Sequence, residues 1–515
     1  MDHQWLREIG AWAQRHKTLL GAFSLAVVVM GFFIVEHARG SVSLARYKRA
    51  LSARGEKLSA REFRLLPASG ENGAPEVLVA ATELNAGVIL PNTHPPRMVL
   101  TPAGHGVICF QQVEWVENKV TNHWEQLAED LEANRATLKR IAGAMAKPVL
   151  DCEFDPSLGP RARFPHLLVP KTLAHWFGSS VQLGLHEGRP REVVEDLLSE
   201  IDLPRFLARD GIVISELVRD AVGGVATVDT WEALQADRWT DDDLARIQQA
   251  WERQGFLTNI VRALEGERVF AQCSYDLMRK SNEETEGVLY GMEAFLGAED
   301  RPSWERWLRD LPGGEATADF LKKKVYCPLW RLAWLDQDQL RYLQYLEQLI
   351  ALGRQAGREQ SLRKLAPAVD DLILKFESRG SYDRLRYPSV MSVATLSRVF
   401  VRAMRAETER SLVLTAIALK RYQVRHGEAP QSLSALVPEF LPSVPVDYMD
   451  GGSLRYRRQP EGGFLLYSVG EDGKDDGGDA SLPPGKTNLR MIWERKDMVW
   501  PAPATADEAE AYQKN

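Results

Sequence analysis

The feature that constrains this chain most is a run of 18 residues, 18–35, without a charged side chain. As an α-helix it would be about 27 Å long, close to the thickness of the hydrocarbon core of a bilayer. The alternative is a cleavable signal peptide, whose apolar run is usually only about 7–15 residues long and ends at a small-residue cleavage site. No such site follows here. The sequence therefore predicts one transmembrane helix at 18–35, with the lipid bilayer as its partner, after an N-terminal tail at 1–17.

The charges around this run leave the side of the membrane open. Three lysines and arginines precede the run, and five follow it between residues 39 and 54. Counting these charges would keep the C-terminal mass in the cytoplasm, although long C-terminal domains cross a membrane largely regardless of flanking charge. We expect a single-pass protein of the inner membrane with the bulk of the chain in the periplasm, for a reason that comes from the C-terminal residues below.

Length, charge and cysteine usage exclude several classes of protein. A chain of 515 residues is too long for one ordinary core, so two or three domains are expected. The net charge of −7 argues against a nucleic-acid partner, which would require a basic face. The four cysteines form no CxxC pair, which argues against a zinc ribbon and a thioredoxin-like motif. One or two disulfides and four buried thiols are equally compatible with their spacing.

The middle of the chain is predicted to be a helical body. After a mixed connecting region at 36–113, apolar residues recur at spacings of three and four over 114–387. Proline and glycine separate these periodic segments, and no fixed repeat period relates them. We therefore expect an irregular stack of helical hairpins. The predicted fold class is mainly α, with a small α+β module at the C-terminus.

No sequence motif supports enzyme chemistry in this body. The ten histidines form no HExxH or HxH pattern, and GxSxG, Walker and GxGxxG sequences are absent. Glu265 and Glu267, beside Arg268, could form a buried acid pair, but a solvated helix face or a structural ion pair is the commoner reason for such acids. An envelope hydrolase with its site in the helical body is the alternative function, and it would require these acids to converge in a pocket.

Four tryptophans lie close together in the second half of the body: Trp304, Trp307, Trp330 and Trp334. A solute-binding protein could use them as a ligand platform. We interpret them as core residues instead, because that is the more frequent place for tryptophan in a helical body.

Residues 388–500 are predicted to form the α+β module, followed by a disordered tail at 501–515. One long helix is expected over 388–422, with a break near Glu407 as an option. His426 and Gly427 should end this helix, since glycine suits the position after a helix C-terminus. A short second helix follows around Leu433–Leu436.

The second half of this module is predicted to be a small sheet. Two runs at 453–457 and 463–469 are rich in aromatic and aliphatic residues, and Pro-Glu-Gly-Gly at 460–463 supplies a turn between them. This pattern is typical of a β-hairpin. A last strand is expected at 491–493.

Several residues of this module stand in a particular order along the chain. They are Tyr422, Gly427, Pro430, Leu433, Leu436, Pro445, Asp447, Tyr456, Tyr467, Ser468, Gly470, Asp472 and Gly473. The order resembles that of the soluble domain of the major pseudopilin of type II secretion. Asp-Met-Val-Trp at 497–500 is similar to that family's terminal sequence. The resemblance covers about 90 of the 515 residues.

The whole chain, and in particular the region that follows the predicted anchor, resembles a family of single-pass bacterial envelope proteins that carry this module and have no assigned function. The residues concerned are Gly-Glu-Lys-Leu at 55–58, which form a predicted turn, and Asn-Gly-Ala at 72–74, which precede a predicted helix.

The acidic loop after Ser468 is the candidate metal site. In the pseudopilin family the corresponding loop binds calcium, so the resemblance implies calcium at Asp472, Asp475, Asp476 and Asp479. Carboxylate oxygens suit calcium, and the interleaved glycines allow backbone carbonyls to turn inward. The loop is not an EF-hand, since its twelfth position lacks the required glutamate. A solvated acidic loop is the alternative. Because calcium sites of this kind are useful mainly outside the cytoplasm, we expect the body to be periplasmic.

The chain departs from the pseudopilin pattern at two places. Pseudopilins begin with a cleaved leader and a helix that continues directly into the domain, whereas the predicted anchor lies about 370 residues upstream of this module. Tyr448 follows Asp447 where the family usually has proline, which puts that turn in doubt. Assembly into a fibre is therefore not implied. We expect a structural or adaptor role with an envelope protein partner, beside a type II secretion or pilus-like system.

Overall fold

The computed structural model describes residues 17–63, 69–84, 124–236, 239–296, 303–377, 380–389, 393–459, 463–485, 493 and 495–500. Within these residues the protein is mainly helical, with a long apolar helix at its N-terminus and a small three-stranded antiparallel sheet near its C-terminus. The predicted fold class is confirmed. The predictions for 1–16 and 501–515, and for Cys109, concern residues outside this description.

The α-helices are numbered in chain order. They are α1 Lys17–Ala53, α2 Ala60–Phe63, α3 Ala74–Ala81, α4 Trp124–Met145, α5 Leu168–His186, α6 Val194–Asp202, α7 Val213–Gln235, α8 Asp241–Glu252, α9 Leu257–Met278, α10 Asn282–Leu296, α11 Ser303–Arg309, α12 Gly314–Leu321, α13 Cys327–Ala333, α14 Leu335–Glu359, α15 Leu362–Phe376, α16 Ser381–Arg386 and α17 Val393–His426. A π-helical turn, Lys322–Tyr326, joins α12 to α13. Short 3₁₀ helices are Pro156–Arg161, Pro165–Leu167, Pro190–Val193, Leu203–Leu207 and Leu433–Leu436.

Helix α1 has an exposed apolar first half and a second half that packs on the body. It is the one helix in the described residues that is both long and apolar enough to cross a membrane. Side chains in its first half, such as Phe23 and Val28, are about two-thirds exposed (68% and 67%) although they are apolar. Leu44 and Leu51 in the second half are buried against the body. Gly55 then takes a left-handed conformation (φ 77°), which ends the helix as the sequence predicts.

Two polar clusters fasten the second half of α1, and the turn that follows it, to the body. At the lower cluster the buried carboxylate of Glu36 accepts a 3.0 Å hydrogen bond from Gln337 Nε2 and pairs with Arg386 Nη2 at 3.2 Å. At the upper cluster Arg268 of α9, fully buried, donates to Glu56 Oε2 at 2.8 Å and also pairs with Glu347 of α14. Since one cluster lies at each end of the contact, α1 is held along its length rather than at a single point.

One apolar core runs through the helical body and the C-terminal module. It contains Trp251 of α8, Tyr345 of α14, and Leu412 and Ile417 of α17, together with Leu466 of the sheet. Its members therefore come from both sides of the predicted boundary at 387/388. The module packs on the body instead of standing apart from it.

Helix α17 is continuous through Glu407, where the sequence allowed a break. The Glu407 carboxylate is buried and accepts hydrogen bonds from the backbone N–H groups of Phe256 (2.7 Å) and Leu257 (3.0 Å). These groups open α9 and have no partner within that helix. Glu407 thus caps the N-terminus of a distant helix.

The C-terminal sheet consists of β1 Arg455–Arg458, β2 Phe464–Ser468 and β3 Met498–Val499, in the order β1–β2–β3. Arg455 pairs with Tyr467 and Ser468 pairs with Met498, so both ladders are antiparallel. The predicted hairpin is confirmed, with residues 460–462 of its turn outside the described part. The third strand comes from 498–499; of the predicted strand at 491–493, only Trp493 is described, and it lies outside the strands.

The four tryptophans differ in burial. Trp330 and Trp334 are buried, which confirms the core interpretation for them. Trp307 is 65% exposed, so the interpretation is wrong there, and the side chain of Trp304 lies outside the described part. Cys152 and Cys273 are free thiols, and Cys327 is buried.

We predict that Arg268→Ala lowers the free energy of unfolding by about 3 kcal/mol or more, because it leaves Glu56 and Glu347 without their buried cation. Arg354→Ala is the matched control, since Arg354 also pairs with Glu56 but is 43% exposed in its side chain. The control should cost at most about 1 kcal/mol. Thermal melting of the two variants in the same detergent measures the difference, and equal losses would contradict the structural role of the buried cation.

Candidate functional site

The acidic loop holds three aspartates whose carboxylates have a local partner, Asp472, Asp475 and Asp479. Asp475 accepts hydrogen bonds from the Tyr467 hydroxyl (2.9 Å) and Gly477 N (3.0 Å), which lower its pKa. Asp479 pairs with Lys496 Nζ at 2.6 Å, and this bond, with those from Ser481, lowers the pKa of Asp479 to about 2. Asp472 accepts a bond from the backbone of Lys474. The carboxylates thus face different neighbours.

Asp497 is the residue around which this loop is built. Its carboxylate is fully buried and accepts backbone N–H bonds from Gly478 (2.8 Å), Asp479 (3.2 Å) and Asp476 (3.4 Å). Burial raises its pKa, against the lowering effect of these three donors. Sequence reasoning noted Asp497 only as part of the terminal Asp-Met-Val-Trp, and that ending was the signal that could have identified it.

The loop geometry does not present a preformed metal site. No group of three or more His, Cys, Asp or Glu side chains in the described residues is arranged to hold a metal ion. The backbone N–H groups of the loop point at Asp497, and two of the four predicted ligands are paired with cations, Asp475 with Arg455 and Asp479 with Lys496. Calcium at Asp472, Asp475, Asp476 and Asp479 stays a prediction.

We predict that Asp497→Ala destabilises the loop by about 2 kcal/mol, because buried N–H groups lose their acceptor. Asp472→Ala, at an exposed position of the same loop, should change stability by less than about 0.5 kcal/mol. Limited proteolysis of residues 470–485 and thermal melting in EDTA measure both effects. Faster cleavage in Asp472→Ala than in Asp497→Ala would contradict this account. Repeating the melts with calcium tests the sequence prediction as well.

A second candidate site is a partly open cavity in the helical body. Its volume is about 560 Å³, and helices α7, α9, α10, α13, α14 and α17 contribute to its wall. Most of the lining is apolar, and Leu217, Phe270, Met278, Val288, Trp330 and Leu396 are examples. This size and this lining are typical of sites for small apolar molecules. No local pattern in the sequence indicates this cavity, because its wall comes from segments spread over more than 200 residues.

A polar cluster lies in the wall of this cavity. Asp338 of α14 accepts a hydrogen bond from the Tyr275 hydroxyl, a 2.7 Å bond from Ser389 Oγ and a 3.3 Å bond from Ser389 N. All three residues are buried and line the cavity. Burial raises the pKa of Asp338 to about 7, although the three donors oppose the shift. Sequence reasoning missed this cluster, because its members are 51 and 63 residues apart.

Glu267 is the second carboxyl group in the cavity wall. Its Oε1 accepts a 3.3 Å hydrogen bond from Val213 N. Burial raises the pKa of Glu267 to about 7. A carboxyl group with this pKa can be neutral near physiological pH, and it can then both donate and accept a hydrogen bond.

Glu265 and Glu267 do not form the acid pair that the hydrolase alternative required. Glu265 pairs with Arg354 Nη2 at 2.6 Å, whereas Glu267 lines the cavity. Arg268 belongs to the upper cluster on α1. For Glu265 and Arg268 the structural ion-pair interpretation is therefore confirmed. The two acids do not converge, so the hydrolase alternative lacks the arrangement that it required.

Comparisons of this chain with protein-family models, with curated proteins and with solved structures found no match. The functional proposal therefore rests on the geometry of the chain itself.

We predict that Glu267 makes stability depend on pH. The folded protein keeps this proton up to about pH 7, whereas the unfolded chain loses it near pH 4.5, so stability is highest below pH 4.5 and falls as the pH rises through 7. The loss between pH 5 and 8 should be at most about 3 kcal/mol.

Glu267→Gln should remove this part of the loss, and Glu265→Gln is the control on the same helix, since Glu265 is ion-paired outside the cavity. Denaturant unfolding at pH 5 and pH 8 measures the difference. The same pH dependence in both variants would show that Glu267 does not titrate in this way.

Proposed function

We propose that this chain is a single-pass inner-membrane protein whose periplasmic helical body binds an elongated apolar molecule with an uncharged polar end. The observation that carries the proposal is the 560 Å³ cavity, which combines an apolar lining with two carboxyl groups in its wall. A fully apolar cavity would accept any small hydrocarbon. The two carboxyl groups, buried Asp338 and half-buried Glu267, add a requirement for a hydrogen-bonding group on the ligand.

The polar groups of the cavity indicate the chemistry of that ligand end. Asp338 already accepts bonds from Tyr275 and Ser389, whereas Glu267 Oε1 has a single long bond from the backbone. Near pH 7 a neutral Glu267 could exchange hydrogen bonds with a hydroxyl or an amide group. An anionic end would face two acidic side chains in an apolar surrounding, which is unfavourable. A long-chain alcohol or amide is therefore the ligand class that fits best.

Anchoring in the membrane is supported by helix α1. Its first half exposes apolar side chains over a length that suits a bilayer, and its second half is fastened to the body by the lower and upper clusters. A cleaved signal sequence would have no reason to pack its own apolar run on the folded protein, whereas Phe33 of this run lies edge-on to Trp334, with ring centroids 5.8 Å apart. The periplasmic side remains the side on which a calcium-binding loop would be useful.

The structural or adaptor role forms the remaining part of the proposal. The order of long helix, hairpin and terminal strand in the C-terminal module supports a pseudopilin-like surface for an envelope protein partner. Since this module shares its core with the helical body, a ligand in the cavity and a partner on the module would act on one packed unit.

We predict that a dansyl-labelled undecanol binds saturably to the full chain in detergent and quenches tryptophan emission by energy transfer. Ala271→Phe places a ring in the cavity wall and should weaken binding at least about tenfold, without lowering the melting temperature, because it fills space. Leu168→Phe is the surface control, since Leu168 is 66% exposed. Absence of saturable binding, or equal affinity in a folded Ala271→Phe variant, would refute the proposal.

A further inference from the structure

An exposed apolar stripe runs along the helical stretch 314–333. Phe320, Val325, Leu329 and Leu332 are 60%, 43%, 37% and 54% exposed. On the other side of the same stretch Ala318, Lys322, Cys327, Trp330 and Ala333 are buried. The stretch therefore carries apolar side chains on its outer face as well as its inner face. A helix of this kind normally has an apolar environment on both sides.

The π-helical turn Lys322–Tyr326 is what aligns this stripe. Phe320 and Val325 are five residues apart, a spacing that would place them on different faces of a regular α-helix. A π turn closes hydrogen bonds between residues five apart and so brings such residues onto one face. The buried residues show the same spacing between Lys322 and Cys327. The π turn contains one residue more than a turn of α-helix. Because of it, the exposed residues before and after the turn lie on one face and the buried residues on the other, whereas a regular α-helix would place Phe320 and Val325 on different faces.

Other exposed apolar side chains adjoin the stripe. Trp307 and Leu311 are 65% and 42% exposed, and α11 packs on α12. Tyr382 is 51% exposed and lies edge-on to Trp334, with ring centroids 6.2 Å apart. Elsewhere in the described part of the body, large exposed apolar side chains occur one per element, as at Val79 and Leu168. Single residues of that kind are ordinary on a protein surface, whereas a cluster usually marks an interaction site.

The contact of α1 with Leu332 and Trp334 indicates how deep the C-terminal end of the stripe lies relative to the bilayer. The ring of Phe33 lies edge-on to Trp334, with centroids 5.8 Å apart, and His37 Nδ1 lies 2.7 Å from the carbonyl oxygen of Leu332. Phe33 belongs to the uncharged run, about 3 Å inside its end at Val35. A bilayer that surrounds this run therefore has its boundary at the level of Leu332 and Trp334.

The charges beside the stripe match a lipid surface. Lys323 and Lys324 are exposed and directly precede Val325, and Lys323 pairs with Glu286 at 2.8 Å. Lysines that flank apolar residues on an interfacial helix can place their stems among the acyl chains and their ammonium groups among the phosphates. A protein partner could cover the stripe only if it carried an apolar groove at the level of the membrane boundary. The bilayer that surrounds α1 already provides an apolar environment at that level.

We infer that the stripe of Phe320, Val325, Leu329 and Leu332 lies in the outer face of the same bilayer that α1 crosses. The inference rests on the anchoring part of the proposed function. The helical stretch 314–333 is then a second, interfacial attachment, which fixes the tilt of the body on the membrane. Its ligand is the lipid bilayer itself, with anionic headgroups beside Lys323 and Lys324.

The test uses the full chain in vesicles of phosphatidylethanolamine and phosphatidylglycerol, with a quenching nitroxide on the lipid acyl chains near the headgroup. A bimane label is introduced by Val325→Cys or Leu329→Cys at the stripe, by Phe23→Cys in α1, and by Val79→Cys as a control of similar exposure. The wild-type chain, labelled in the same way, gives the background of the native cysteines. Each variant is first shown to melt like the wild type.

We expect about twofold quenching at positions 325 and 329 and little at 79. Position 23, deeper in the bilayer, should be quenched by lipids that carry the nitroxide near the chain end. Quenching at 23 but not at 325 or 329 would overturn the stripe inference and leave the anchor intact. No quenching at 23 would overturn the anchor itself. A label at 325 or 329 that is shielded only at high protein-to-lipid ratio would instead indicate a second copy of the chain on this face.

Discussion

The rest of the structure depends on the fastening of α1 to the body. A helix that merely left a membrane would connect to a folded domain through a loop, and the domain could take any orientation. Here the helix continues without a break from Lys17 to Ala53, and buried charges hold its second half at Glu36 and the turn after it at Glu56. Buried ion pairs are costly unless their geometry is complete, so each partner is needed once the others are present. The direction of the apolar half therefore fixes the direction of the body.

The cavity wall holds two carboxyl groups that form no salt bridge within the described residues. Asp338 and Glu267 sit where burial favours the neutral form, and their raised pKa values reflect the cost of ionisation in an apolar surrounding. Closing this space with aliphatic side chains would stabilise the protein more. A cavity that keeps both its volume and its carboxyl groups is better explained by a ligand than by stability alone. Asp497 differs from these two residues, because its buried carboxylate accepts three backbone hydrogen bonds and so has a structural role.

Local patterns in the sequence were sufficient to predict helices and strands, but they were insufficient to predict the cavity and its polar cluster. The uncharged run, the hairpin and the glycine that ends α1 could be predicted, because each depends on neighbouring residues. Glu407 suggested a break in α17, yet it caps α9, whose first residues are about 150 positions away. Tyr275, Asp338 and Ser389 have no shared pattern, since only the packing of α9, α14 and the segment between α16 and α17 brings them together. The π turn was also beyond prediction, because a five-residue spacing is visible as a stripe only once the extra residue is known.

The cavity and the stripe are two sides of one helical wall. Trp330 lines the cavity, while Leu329 and Leu332 face outward from the same turns of α13. A helix with its side chains is only about 10 Å across. If the outer face lies in lipid, the cavity lies one helix away from the acyl chains. An apolar ligand could then pass between bilayer and cavity around α13 without crossing water, which would otherwise oppose its transfer by about 0.8 kcal/mol for each methylene exposed. This arrangement would account for an apolar binding site in the part of the body that is closest to the membrane.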